Sequence, residues 1–146
     1  VHVRVPASSA NLGPGFDALG MALDLHAEVG TMAAGPVPRR AIVEGDGHPA
    51  VVAFRAGGGT GELWVRSPIP SGRGLGFSGA MRIGGLVAAF AQRGFDVTDA
   101  ATRTEILAIA ERLEGHADNV AASLHGGVVA TAGGRVVDVS LALDPV

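Results

Sequence analysis

Hydrophobic and polar positions alternate at the start of the chain. In VHVRV, residues 1–5, the three valines fall on one face and His2 and Arg4 on the other, the period-two pattern of a strand. Turn formers and small polar residues fill the next stretch, PASSANLGPGFDALG, which reads as a loop. Alternation resumes in MALDLHAEVGTM, and RRAIVE and ELWVRS are two further strand candidates. The connector between those two has room for one short helix from Pro49 to Arg55, ended by a glycine triplet. Beyond a glycine-rich loop, SGAMRIGGLVAAFAQR sets Met81, Ile83, Leu86, Val87 and Phe90 for a largely buried helix. Gly84 and Gly85 each weaken that helix by about 1 kcal/mol against Ala, a cost that calls for another backbone packed closely there. TRTEILAIAERLEG predicts a second helix, with Thr102 and Glu105 as a capping-box pair and Gly115 at its end. ADNVAASLH predicts a third, and GVVATA and RVVDVSL a hairpin around Gly133 and Gly134. Strands, then helices, then strands again point to an α+β fold.

Composition narrows the function. At 146 residues, 47% hydrophobic and 17% charged, the chain has the makings of one globular domain. A net charge of −3, with no basic cluster beyond Arg39 and Arg40, gives no footprint for nucleic acid. No apolar run is long enough to span a bilayer, so no membrane partner is expected, and a cytoplasmic location is. The absence of cysteine removes disulfides and thiol catalysis. All eleven basic residues are Arg, and without Lys neither a Walker-type phosphate loop nor a protein-kinase site can be built from these residues. The chain opens at Val1 and stops as a strand-like run, SLALDPV, ends, and so reads as the N-terminal portion, 1–146, of a longer protein.

The glycine-rich stretch PSGRGLGFSGA holds the chemistry. Gly74, Gly76 and Gly79 satisfy G-x-G-x-x-G, a pattern that is weak by itself and also arises from ordinary turns. A dinucleotide fold would need a strand leading directly into the loop and another after the helix. Pro68 and Pro70 intervene on one side, and a second helix follows on the other. A phosphate cradle meets no such objection. Glycines let successive backbone N–H groups point at an anion, and with Ser78 near a helix start the helix dipole adds to the attraction.

The loop resembles the P-x-x-x-G-L-G-S-S-A-A motif of the galactokinase, homoserine kinase, mevalonate kinase and phosphomevalonate kinase (GHMP) group. VRVPASSANLGPGFDALGMALDL is similar to the N-terminal signature of the homoserine kinases in that group, and EGHADNVAASLHGGVV to their E-G-H-x-D-N-V-A segment. The resemblance implies a two-layer N-terminal ATP-binding domain, with a mixed or antiparallel sheet packed on helices and a left-handed βαβ crossover. A C-terminal domain would lie beyond Val146. It implies ATP and Mg2+, transfer of the γ-phosphoryl group to the hydroxyl of L-homoserine on the route to threonine, and a homodimer by family analogy. Alternatives are a superfamily kinase acting on another small hydroxy or amino acid, or a non-catalytic nucleotide-binding relative.

Carried over by position, the resemblance gives Asn11 and Asp17 to homoserine, with Asp17 facing its ammonium group. Asn119 would stand close to the reacting hydroxyl, where it cannot usefully accept a proton, so that positioning and electrostatics carry the mechanism. Pro70, Ser71, Gly72, Arg73, Gly74, Leu75, Gly76, Phe77, Ser78, Gly79 and Ala80 would hold ATP, Ser78 also reaching the magnesium ion. Two positions depart from the motif: Phe77 replaces its first Ser, and Gly79 the first of its closing alanines. Many relatives carry a magnesium-binding Glu eleven residues before the Asn, a position that falls here on Ala108, with Glu105 and Glu111 about one helical turn to either side. Those two are candidates for the metal or ordinary solvent-facing charges. Arg73 faces a phosphate or solvent. His116 and His125 read as structural, Asp118 as a cap of the short helix, Trp64 and the phenylalanines as core, and Ser8 and Ser9 as turn-stabilising hydroxyls.

Overall fold

A computed structural model describes residues 1–10, 12, 13 and 18–140. In chain order the elements are β1 (His2–Ala10), β2 (Leu19–Thr31), β3 (Ile42–Val43), α1 (Pro49–Ala56), β4 (Leu63–Arg66), α2 (Phe77–Gln92), α3 (Ala100–Glu114), α4 (Asp118–His125), β5 (Val128–Ala132) and β6 (Arg135–Asp138). β2 is the spine of the sheet. β1 pairs along most of its length, from His2 opposite Gly30 to Ala10 opposite Gly20. β4 meets β2 near its end at residues 28–31 and β5 near its beginning at 19–21, while β3 extends the sheet beyond β4 and β6 beyond β5. Every pairing among the described residues is antiparallel.

β1 runs further than the sequence suggests, taking in PASSA, expected as loop. Cross-strand pairing with β2 overrides the turn propensity of those residues. Pro6, which has no N–H to give the ladder, sits where the register shifts: Pro6 faces His26 but Ala7 faces Leu23. Strand RRAIVE shrinks to Ile42–Val43. The helix expected from TRTEILAIAERLEG starts earlier than its proposed capping box. Asp99 is the N-cap, its carboxylate accepting the Thr102 N–H at 2.9 Å.

The core lies between the sheet and the helices. Val5, Ala7, Ala27 and Val29 from the sheet meet Phe54 of α1, Met81, Ile83, Leu86 and Phe90 of α2, Ile106 of α3 and Val120 of α4. Each large apolar side chain so buried contributes about 1.5–3 kcal/mol. Gly84 and Gly85 are explained here. A Cβ on Gly85 would lie 2.1 Å from the Ala50 carbonyl oxygen, and one on Gly84 2.6 Å from Val29 Cγ2. The two costly residues are therefore what lets α2 pass against α1 and the sheet.

Trp64 is buried, but over Gly30 and beside the His2 ring, on the sheet face opposite the one Val29 presents to α2. Phe54 and Phe90 are core, Phe77 is half-buried, Phe95 is exposed, and Phe16 lies outside the described residues.

Candidate functional site

The loop between β4 and α2 is anchored by Ile69, which is buried, and then opens into Ser71–Gly74, all exposed. Gly72, Gly74 and Gly76 have φ of +71°, +72° and +62°, while Arg73 and Leu75 between them stay on the negative side. Such alternation turns successive N–H groups toward one concavity, a backbone nest suited to an anion. Gly76 is also the N-cap of α2 and offers no side-chain cap, so the first-turn N–H groups of a 16-residue helix remain available beside the nest.

The loop is tied down from two sides. The Ser8 N–H of β1 donates to the Leu75 carbonyl at 3.3 Å. The Ser8 hydroxyl, fully buried, donates to Asn119 Oδ1 at 2.9 Å and lies 3.3 Å from the Ser123 hydroxyl, which donates to it. Ser8 and Asn119 both press on Gly76: a Cβ there would stand 2.0 Å from Ser8 Oγ and 3.1 Å from Asn119 Oδ1. Ser8 is thus a buried strand residue that orients Asn119, where the sequence suggested only a turn hydroxyl.

Asn119 is the second residue of α4. Its oxygen is engaged by Ser8, so the NH2 half of the amide is what it presents to a ligand. Asp118, 1% exposed, accepts the Asn119 N–H at 2.7 Å and pairs with His116 Nδ1 at 2.9 Å. It satisfies a helix N-terminal donor from inside the first turn, while the N-cap position belongs to Ala117. Phe77 meets the His48 ring edge-on at 6.0 Å, and His48 in turn caps α1 by accepting the Ala50 N–H. The position where the motif has Ser therefore packs toward α1. Gly79 sits against Asn119, where a Cβ would come within 3.3 Å of Asn119 Cβ.

Ser78 does not meet the acidic residues expected from spacing. Glu105 is exposed on α3, and Glu111 lines a cleft of about 420 Å³ with His116, Ala117 and Thr131. Instead the Ser78 hydroxyl donates to Glu114 Oε2 at 2.9 Å. Arg82, one turn along α2, donates to Ser78 Oγ at 2.7 Å and pairs with the Glu114 carboxylate. Burial pushes the Arg82 guanidinium below its ordinary value. Counting eleven positions back from Asn119 passes over Glu114 because the link from α3 to α4 is short. The pair Glu114–Gly115 at a helix end was the available signal, and for Arg82 it was a charge set between Met81 and Ile83.

Asn11 and Asp17, expected to bind the acceptor, lie outside the described residues. Among the described residues no group of three or more His, Asp or Glu side chains comes together to hold a metal ion. His125 stands apart from His116, at the other end of α4, with its pKa lowered first by burial and then by Arg103. A cleft of about 440 Å³ lined by His26, Glu28, Arg39, Arg40, Arg66 and Pro68 borders the entrance to the loop and does not contain the nest. Within it Glu28 pairs with Arg66 at 2.6 Å, which holds its carboxyl below the usual range. No described helix is long and apolar enough to cross a membrane.

Residues 43–127 match the family model described as GHMP kinases N terminal domain. A homoserine kinase of Carboxydothermus hydrogenoformans is 44% identical over 88% of this chain and 46% of its own length. A solved structure from Listeria monocytogenes, described as a homoserine kinase, superposes with a TM-score of 0.71 at 30% identity, covering 93% of this chain and 52% of that one. The mevalonate kinase of Methanococcus jannaschii shares the fold, with a TM-score of 0.70 at 15% identity over 96% of this chain and 56% of its own. The chain spans about half the length of the curated relatives it matches.

Proposed function

The chain belongs to the GHMP kinases, whose N-terminal domain it carries, and on that premise we propose that it is the nucleotide-holding half, residues 1–146, of an ATP-dependent kinase that phosphorylates the hydroxyl of L-homoserine. The observation that carries this reading is the glycine nest at the mouth of α2 with the Asn119 amide against its last glycine. ATP phosphates lie along the backbone N–H groups from Gly72 to Gly79, with Pro70 and Ser71 at the entrance and Leu75 and Ala80 shaping the turn. Arg73, exposed on the loop, is free to close over the outer phosphates.

In the reaction the acceptor oxygen attacks the γ-phosphorus, the bond to the ADP oxygen breaks, and the hydroxyl proton leaves with a phosphate oxygen. No protein base is required. Asn119 contributes an amide donor fixed by Ser8, and the nest and helix terminus stabilise the charge that develops on the phosphates. Asn11 and Asp17 are assigned to the acceptor's polar groups, Asp17 to its ammonium. By analogy with the GHMP group, the enzyme so described would work in the cytoplasm as a homodimer.

Magnesium enters with the nucleotide, as part of the MgATP substrate. Ser78 and Glu114 are hard oxygen donors of the kind this ion takes, but Arg82 already engages both. A protein-held ion does not fit that arrangement.

The test is ADP release by the full-length protein with ATP and magnesium, with and without L-homoserine. Homoserine-dependent release supports the reading. Release with a different small hydroxy acid alone would move the acceptor, and ATP binding without any release would leave a nucleotide-binding relative.

A further inference from the structure

We propose that Arg82 is a built-in counter-cation of the phosphate cradle, its guanidinium standing between Ser78 and Glu114 in the place a protein-bound divalent ion would take. The inference rests on the kinase reading above. A carboxylate this close to a triphosphate repels it unless a cation lies between them. Glu114 is the last residue of α3, its side chain 11% exposed, and it faces Ser78 in the first turn of α2. Arg82, four residues beyond Ser78 on α2 and with its side chain 21% exposed, bonds to both partners through Nη1. A divalent ion entering here would have to break both contacts and sit beside a positive charge.

The arrangement also leaves a donor over. Arg82 Nε is buried and has no acceptor among the described residues. A buried donor without a partner is costly, and a phosphate oxygen is an acceptor that would satisfy it. Guanidinium is a permanently charged, planar donor suited to phosphate oxygens. Glu114 then offsets part of the Arg82 charge and is not a metal ligand.

Nucleotide affinity in the full-length protein tests this with two substitutions, only one of which should weaken binding. ATP binding is measured by calorimetry in EDTA and again with magnesium, for the wild type, Arg82→Met and Glu114→Gln, with thermal unfolding as a check on folding. The wild type should bind metal-free ATP, and Arg82→Met should weaken that binding by about tenfold or more, the scale of one charge-assisted contact. Glu114→Gln should leave it unchanged or tighter, and should not weaken MgATP binding. Arg82→Lys, which keeps a charge, should recover part of the metal-free affinity and serves if the Met variant does not fold.

The inference is overturned if Glu114→Gln weakens MgATP binding about tenfold, the mark of a carboxylate that holds the metal. It is equally overturned if Arg82→Met leaves metal-free ATP binding unchanged. A wild type that binds no ATP with or without magnesium would remove the kinase reading itself, and this assignment with it.

Discussion

The Ser8 hydroxyl donates to Asn119 Oδ1 at 2.9 Å, joining the first strand to the start of α4 across 111 positions of the chain. Both side chains lie against Gly76, so strand, loop and helix share one contact point at the base of the phosphate nest. In Ser8→Ala the Asn119 oxygen loses its donor while the loop backbone is left in place. A loss of about 1–2 kcal/mol in stability is expected. The full-length protein should lose kcat by about tenfold with the KM for ATP little changed, since the amide is misaligned and the nest is not. A variant that changes only the ATP KM would place Ser8 with the nucleotide instead.

Gly76 tests the nest itself. Its φ of +62° and the 2.0 Å approach of a Cβ to Ser8 Oγ make Gly76→Ala doubly unfavourable. The left-handed backbone alone costs about 1–2 kcal/mol, and the displaced Ser8 adds to that. Chemical denaturation should show the loss, and calorimetry should show weaker ATP binding. A shift of less than about 0.5 kcal/mol, the scale of an ordinary surface change, would mean that the loop relaxes freely.

His48 makes stability depend on pH. Burial lowers its pKa below the usual 6.5, with Glu44 pulling weakly the other way. The unfolded chain therefore holds the proton more tightly than the folded one. The His48 contribution to stability is complete above 6.5 and is lost as pH falls through the lower, folded value. Protonation at Nδ1 also removes the acceptor for the Ala50 N–H at the start of α1. His48→Asn keeps a capping acceptor without the titration, so its urea midpoint should fall less steeply than the wild type's below about pH 6.5. A remaining slope is expected from His125, which is shifted in the same direction. Equal slopes in both proteins would exclude His48 as a source.

The helices and the terminal hairpin were legible in the sequence because apolar spacing and glycine stops mark them locally. The extent of β1 was not. PASSA has the composition of a turn and becomes strand only through its pairing with β2, an interaction without a local signature. The glycine nest could be read from the loop, since glycine takes the positive φ that its alternation needs without steric cost. Ser8, Glu114 and Arg82 could not be read in the same way. Each acquires its role from a contact between distant elements, and counting residues back from Asn119 led to the middle of α3 when its last residue is the one that reaches Ser78.

The most direct measurement is mass-spectrometric detection of the product made by the full-length protein from ATP and L-homoserine, beside an Asn119→Leu variant whose ATP binding is confirmed. Phosphohomoserine from the wild type, and about a hundredfold less from the variant, is the expected result, in keeping with the usual cost of removing a transition-state donor. A wild type that binds ATP and yields no phosphohomoserine, or a variant as fast as the wild type, would contradict the account.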